Sequence, residues 1–322
     1  MQLNRLWRLL FGAVALAATA CQAQTFPTKP IRVIVPFPPG GADVTLRLLQ
    51  PKMQEELGQA IVVDNRPGAN GIIGSELGAH ADPDGYTLLY TTSSTLVSGI
   101  FLVKTVPFDP VKDFMPITIV FDSPNILVAN LSVPANNLQE LIAYAKRNPG
   151  KLTYASSSIG SAAHLDGEVL KMTTGIDILH VPFKGFGPAV QEFLAGRVDL
   201  LPIPYFVVKG FLAAGKIKAL GIHDDKHFPP LPQVSTLGEV APNFTHLPGW
   251  VGMLGPGGLP RPVVNRVRDS IVKALNTPDI RARFNEDGNI IVADTPEHFS
   301  ATIKSDITNV GKIVKILNIQ PE

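Results

Sequence analysis

Short apolar runs of strand length alternate with segments of helical period along most of the chain. The runs are rich in β-branched and aromatic residues, which is typical of strands. In segment 46–57 apolar residues recur at helical spacing and stop at Gly58, and segment 138–147 ends at Asn148-Pro149-Gly150. The predicted strands are Ile31–Val35, Ala60–Val63, Tyr86–Tyr90, Leu152–Ala155, Ile178–Val181 and Ile217–Ile222. The alternation predicts βαβ units and mostly parallel sheets, and so an α/β fold.

Two longer apolar segments predict places where the chain crosses between two lobes. The first runs from 117 to 129 and is interrupted by Ser123-Pro124, and the second is Trp250–Pro256. If both are crossover strands, residues 25–124 and 246–322 form one lobe and residues 125–245 form the other. The cleft between the lobes is then a hinged site.

Composition excludes several classes of partner. The 322 residues carry 28 Lys+Arg against 27 Asp+Glu, a formal charge of +1, so no basic footprint for nucleic acid or an anionic membrane surface exists. At this length two domains or one large domain are expected.

The first 23 residues have the pattern of a secretory signal peptide. Arg5 and Arg8 precede an apolar stretch from Leu9 to Ala18, which is short for a membrane span, and small residues precede Gln24. Export followed by cleavage after Ala23 would leave the mature protein without a cysteine, since Cys21 is the only one. Two alternatives remain: a retained amphipathic anchor, and a lipoprotein modified at Cys21.

A glycine-rich turn, Pro36–Asp43, follows the first strand and precedes the first helix. The pair Gly40-Gly41 lets backbone N–H groups approach a ligand, and a helix N-terminus favours an anion. The alternative is an ordinary strand-to-helix turn with Asp43 as the N-cap.

Two further turns rich in small hydroxyl residues follow strands in the same way. Tyr154–His164 places hydroxyls and free amides at a strand end, where open α/β sheets bind ligands. Ser161 and His164 suggest either a nucleophile with its base or, more simply, an N-cap. Thr91–Thr95 is either a hydroxyl cluster that orients a carboxylate or an ordinary solvated loop. Three such turns predict a cleft that binds a small anion without strong positive charge.

Catalytic and cofactor motifs are absent from the sequence. There is no GxxxxGK(S/T), HExxH or GxSxG segment. His223 and His227 are four residues apart but flank a polar loop, which makes a poor metal site. We therefore expect no cofactor, no metal and no enzymatic activity.

Several segments in order resemble the substrate-binding proteins of tripartite tricarboxylate transporters, the Bug family. They are Val35–Gly41, Val63–Gly71, Pro83–Leu89, Tyr154–His164 and His180–Gly185. The resemblance covers the whole chain after the signal segment. It implies a periplasmic binding protein of type II, a two-lobed Venus flytrap in which two α/β domains joined by two crossover strands close on a small carboxylate.

The resemblance also implies a set of ligand-binding residues. They are Phe37, Pro38, Gly40, Gly41 and Asp43 on one lobe, Ser157, Ser158, Gly160, Ser161 and His164 on the other, and Thr92 and Ser93.

Two departures from the family pattern bear on the ligand. Only Ala42 separates Gly41 from Asp43, so the turn is expected to be tighter. Where many relatives have an acidic residue, this chain has Leu201–Tyr205. With Tyr205 as part of an apolar, aromatic wall, the sequence disfavours an amino-acid ligand and favours an apolar or aromatic carboxylate.

Three functions follow as hypotheses. The first is a monomeric periplasmic receptor that delivers a small organic carboxylate to a membrane permease. The second is a receptor that presents the ligand to a sensor kinase. The third is an exported enzyme using His164 and Asp43, which the lack of a catalytic constellation disfavours.

Overall fold

Two β-sheets, each covered by helices, form two lobes. The computed structural model describes residues 26–242 and 244–321. The predicted signal segment, residues 1–23, lies outside the described residues. The strands are β1 Ile31–Val35, β2 Ile61–Asn65, β3 Thr87–Thr92, β4 Phe114–Asp122, β5 Asn125–Asn130, β6 Thr153–Ser156, β7 Leu179–Pro182, β8 Leu200–Pro204, β9 Ile217–Ile222, β10 Trp250–Pro256 and β11 Ile290–Ile291. The first lobe has the sheet order β11-β4-β10-β3-β1-β2, and the second has β7-β6-β8-β5-β9.

In each sheet the strand by which the chain arrives from the other lobe runs against its neighbours, and in the first sheet β11 also runs against β4. In the first lobe β1 is parallel to β2 and β3, but β10 is antiparallel to β3 and β4. In the second lobe β6 is parallel to β7 and β8, but β5 is antiparallel to β8 and β9. The expected α/β fold with two crossovers is therefore confirmed.

The two crossovers differ in length. Only Ser123 and Pro124 separate β4 in the first sheet from β5 in the second. The return path, from the end of β9 at Ile222 to the start of β10 at Trp250, is much longer and contains one short helix.

The helices begin and end largely where the sequence signals lie. They are α1 Ala42–Leu57, α2 Ile72–Ala79, α3 Leu138–Arg147, α4 Ala162–Thr174, α5 Phe186–Leu194, α6 Tyr205–Ala213, α7 Leu237–Val240, α8 Arg261–Leu275, α9 Pro278–Glu286 and α10 Pro296–Ile316. The end of α1 is capped by Gly58 in the left-handed conformation, as predicted. The side chain of Asn137 caps α3 by accepting a hydrogen bond from the Glu140 amide.

The central strands are buried on both faces, which explains their continuous apolar sequences. On one face of β1, Val33 packs with Leu46 and Leu49 of α1. On the other face, Ile34 packs in a cluster with Leu89 of β3. Such packing holds the strand ends, and thus the turns that follow them, in fixed positions. Within the described residues, no helix combines the length and the hydropathy needed to span a membrane.

Candidate functional site

Two adjoining cavities lie between the lobes. The inner cavity, of about 380 Å³, reaches the crossover residues Ser123 and Pro124. The outer cavity, of about 420 Å³, lies between the turns of the two lobes. Ser94, Ala162 and Phe186 line both, so the two cavities form one cleft.

The first turn contributes to both cavities. Phe37 and Pro38 line the outer cavity and Gly41 lines the inner one, whereas Gly40 lines neither. Gly41 has a φ of 54° and offers no side-chain cap to α1. Because Gly41 and Ala42 both line the inner cavity, the positive end of the α1 dipole faces it.

Asp43 lies behind this turn and lines neither cavity. It is 2% exposed, and its two carboxylate oxygens accept hydrogen bonds from Arg47 Nε and Asn65 Nδ2, each at 2.9 Å. Asn65 also donates to the Phe37 carbonyl at 3.0 Å. Burial acts to raise the pKa of Asp43, but the hydrogen bonds from Arg47 and Asn65 lower it overall. Asp43 thus anchors the turn; the alternative that it is the N-cap of α1 is wrong, because Gly41 holds that position.

The second turn provides four residues to the outer cavity: Ser157, Ser158, Gly160 and Ser161. Ser161 is the N-cap of α4; its Oγ accepts from the His164 amide and donates to the Ser158 carbonyl at 2.8 Å. The capping interpretation of Ser161 is therefore confirmed. Ala162, the first residue of α4, presents the positive end of a second helix dipole to both cavities.

His164 supports the second turn from behind. Its Nδ1 accepts a hydrogen bond from the Gly160 amide at 2.8 Å, and its ring stacks on His180 at 4.1 Å between centroids. Burial lowers the pKa of His164, and burial with His164 nearby lowers the pKa of His180 to about 4. Because Nδ1 of His164 already accepts a hydrogen bond from the Gly160 amide, it is not available to take a proton from Ser161. The pairing of Ser161 with His164 as nucleophile and base is therefore wrong.

The third turn brings hydroxyl groups to the inner cavity. Thr92 and Ser93 line it, and Ser93 Oγ donates to the Pro248 carbonyl at 2.8 Å. Thr91, Ser93 and Thr95 are each at most 1% exposed. The alternative of a solvated loop is therefore wrong, since these hydroxyls belong to the packed floor of the cleft.

An apolar wall surrounds the inner cavity, but Tyr205 is not part of it. Tyr205 packs edge to face on Phe228 and lines a separate cavity with Gly288. Its neighbour Phe206 lines the inner cavity and is 38% exposed. The apolar wall comprises Val44, Phe121, Phe186, Phe206, Leu247 and Val251.

Sequence reasoning missed the polar floor and the mouth of the inner cavity. Asn125, Asp166 and His223 line the floor. His223 directly follows β9, so the rule that strand ends carry ligand sites could have identified it. At the mouth, Lys209 of α6 contacts Asp287 next to α9 at 2.7 Å, an ion pair that bridges the lobes.

A second charged group lies at the crossovers. Asp122, Asp224 and His246 each offer one ligand atom, and these atoms lie within 4.8 Å of one another. Burial acts to lower the pKa of His246, but Asp224 and Asp122 outweigh it and raise the pKa to about 9. His246 Nε2 and an Asp224 carboxylate oxygen are 3.6 Å apart, so an ion pair between them explains why these three side chains lie together.

The fold and the cleft define a class of protein: a two-lobed solute-binding protein in which each lobe supplies half of the site. The model of the "Tripartite tricarboxylate transporter family receptor" matches residues 45–319. The chain belongs to this family, and the resemblance noted in the sequence is confirmed. Such family members are binding proteins of transporters, not enzymes.

Full-length relatives and solved structures agree with this assignment. The protein BugT of Bordetella pertussis is 36% identical over 324 residues, covering 98% of this chain and 98% of BugT. A structure described as that of a periplasmic transporter has 39% identity and a TM-score of 0.79, covering 92% of this chain and 99% of that one. A protein of R. palustris solved with adipate has 30% identity and a TM-score of 0.80, covering 92% and 100%.

Proposed function

We propose that the protein is a receptor for a small organic carboxylate, which it captures in the cleft between its lobes. The main support is the meeting of two long helices, α1 and α4, with their N-termini at the cavities, at Ala42 and Ala162. Their dipoles and the hydroxyls of Thr92 and Ser94 stabilise a negative group, while the two cations that line the cavity, Lys209 and Arg283, are paired with Asp287. The adipate bound by the R. palustris relative is an acid of this class.

The body of the ligand is apolar or aromatic in this proposal. Phe186 and Phe206 are 42% and 38% exposed, and both line the inner cavity. Exposed aromatic side chains in a cleft gain most from covering by an apolar ligand. Phe206 thus takes the role that the sequence suggested for Tyr205.

Closure of the cleft is the proposed response to the ligand. The moving units are residues 25–124 with 246–322 and residues 125–245, and they turn about the two crossovers. A ligand that touches both lobes binds the closed form more tightly and shifts the population toward it. The ion pair of Lys209 with Asp287 joins the two lobes and so adds to the stability of the closed form.

Delivery to a membrane permease of the tripartite tricarboxylate type is the proposed physiological step, in the periplasm after cleavage of residues 1–23. A sensor kinase that reads the closed receptor is the alternative partner. Cross-linking of the ligand-loaded receptor to membranes that contain one partner or the other distinguishes the two. Capture by the kinase alone would overturn the permease proposal.

The binding proposal is tested by thermal unfolding of the signal-trimmed protein against dicarboxylates, tricarboxylates, aromatic acids and amino acids. A ligand at a hundredfold excess over Kd stabilises the folded state by about 2.7 kcal/mol, or several degrees. Mass spectrometry of the denatured sample first establishes that no ligand has been co-purified.

A charge variant identifies the cleft as the site. Ala42→Asp puts a carboxylate at the α1 N-terminus in the inner cavity, where it favours the helix but repels an acid. Gln139→Asp adds the same charge to the first turn of α3, at an exposed position. Stabilisation that persists in Gln139→Asp and vanishes in Ala42→Asp supports the proposal. No stabilisation of ligand-free protein by any acid would overturn it.

A further inference from the structure

The floor of the inner cavity holds a buried histidine and carboxylate that the carboxylate site does not require. His223 and Asp166 are 6% and 3% exposed, and both line the cavity. His223 Nδ1 lies 3.4 Å from one oxygen of Asp166, and Asn125 Nδ2 donates to the other at 2.5 Å. Both carboxylate oxygens of Asp166 thus face protein donors.

This arrangement leaves the other ring nitrogen of His223 for the ligand. In the neutral ring, the carboxylate beside Nδ1 favours the tautomer with the proton there, and Nε2 is then a hydrogen-bond acceptor. A ligand atom that approaches it must therefore carry a hydrogen.

A second observation shows unused hydrogen-bonding capacity at the same floor. Asn289, 4% exposed, has a buried side-chain oxygen with no partner in the described structure, and so has Ser123 Oγ. Both residues line the inner cavity. Buried polar atoms without a partner are rare in native proteins, and a bound polar group is one means by which they are satisfied. The floor is thus built to receive a hydrogen-bonding group from the ligand.

The spacing along α4 indicates how far this group lies from the carboxylate. Ala162 at the helix N-terminus and Asp166 both line the inner cavity and are four residues apart, which is about 6 Å of helix axis. Standard bond lengths separate the carboxyl carbon and the para oxygen of a hydroxybenzoate by about 6 Å as well. The phenyl rings of Phe121 and Phe206 supply apolar contact for a ring between these ends.

We infer that His223 is a specificity-determining residue, whose Nε2 accepts a hydrogen bond from a hydroxyl at the far end of an aromatic or similarly sized acid. The inference rests on the proposed function, because the carboxylate of the same ligand binds at the helix N-termini. Asp166 acts through His223: it fixes the ring tautomer and does not touch the ligand hydroxyl. The preferred ligand class is thus hydroxylated monocarboxylates.

Matched acids test this inference by calorimetry on the signal-trimmed protein. The probes are 4-hydroxybenzoate, benzoate, which lacks the hydroxyl, 4-methoxybenzoate, which lacks only the donor hydrogen, and adipate. We expect 4-hydroxybenzoate to bind at least tenfold more tightly than benzoate and 4-methoxybenzoate. In His223→Phe this preference should vanish while benzoate affinity changes less than threefold.

Two further variants separate recognition from folding. His223→Gln keeps an acceptor and should retain part of the preference, and His80→Phe makes the same exchange at an exposed site and should retain all of it. If aromatic acids bind but show no hydroxyl preference, or if the preference survives in His223→Phe, the inference is overturned and the receptor function stands. Binding of adipate alone has the same meaning. Binding of no carboxylate in a wider panel overturns both.

Discussion

Alanine at position 160 should hinder closure of the cleft. Gly160 lies in the second turn with a φ of +74°, and a Cβ built on it would lie 2.0 Å from Leu102 Cδ2 and 2.9 Å from Leu102 Cδ1. Leu102 belongs to the first lobe and directly follows a short helix, Gly99–Phe101. The overlap therefore falls between the lobes, and Leu102 must turn away or the lobes must separate.

The substitution has two costs that act on different measurements. A left-handed conformation costs an alanine about 1 kcal/mol more than a glycine, which lowers the stability of the folded protein whether or not ligand is bound. Overpacking acts on the closed form and costs about 1 kcal/mol here, the low end of its usual range, because the end of the half-buried Leu102 side chain can turn away. A closed form less stable by this amount raises Kd by roughly fivefold.

A glycine at the other end of α4 provides the control. Gly175 has a φ of +70°, but a Cβ there would meet no atom within 4 Å. Gly175→Ala should therefore reproduce the loss of stability without the loss of affinity. The double variant Gly160→Ala, Leu102→Ala should regain affinity but not stability.

Calorimetric Kd values and thermal unfolding of the three variants and the original protein, with the best carboxylate from the panel, give both quantities. Affinity of Gly160→Ala within twofold of the original protein would refute the reasoning. So would a double variant as weak as the single one, since the overlap with Leu102 would then not be the cause.

Three more results are expected. Phe206→Ala should weaken aromatic acids about tenfold and adipate far less, because one wall of the inner cavity loses a ring; calorimetry with both acids measures this. Asp43→Ala should lower the free energy of unfolding in urea by about 2 kcal/mol, because Arg47 and the half-buried Asn65 amide lose their acceptor. The pKa of His246 is raised to about 9 by Asp224 despite the opposing effect of burial, so its stabilising contribution is complete below pH 6.5 and is lost as pH rises through 9. Urea unfolding from pH 6 to 10 should show this loss, and His246→Gln should reduce it.

Each of these results has a contrary outcome. Tyr205→Ala is the control for Phe206→Ala, since it lies outside the cavity; equal losses in both variants would mean that helix α6, not the ring at 206, matters. Unchanged stability of Asp43→Ala would mean that the turn is held by other contacts. A pH profile identical in His246→Gln and the original protein would assign the titration to another group.

Much of the fold and of the three turns follows from local sequence. A run such as Ile31–Val35 is long enough for a strand and is followed by a turn segment of prolines and then Gly40-Gly41, so a strand, a turn and a helix are the simplest interpretation. Ser161 before a helical segment is an N-cap by its own chemistry, whatever the lobes do. Such features depend on neighbours in the chain, which the sequence contains.

Orientation across the cleft does not follow from local sequence. Tyr205 and Phe206 are adjacent on α6, but successive residues of a helix point about 100° apart, so only the packing of α6 decides which ring enters the cavity. Asp43 looks equally suited to a ligand or a cap until Asn65 of β2 is seen beside it. His223 meets Asp166 only because β9 ends and α4 begins at one floor, a pairing that no local pattern contains.

The unequal crossovers have a mechanical consequence. Two residues, Ser123 and Pro124, tie the sheets together on one side, and a long segment returns on the other. So short a tether fixes a pivot. The long segment is packed into the second lobe through Phe228 and Val234, and it meets the pivot where the Ser123 amide donates to the Gly249 carbonyl. The closure proposed above then has nearly a single degree of freedom, and every ligand that closes the lobes drives the same rotation. The proposed permease partner would therefore meet one closed shape, whichever acid lies inside.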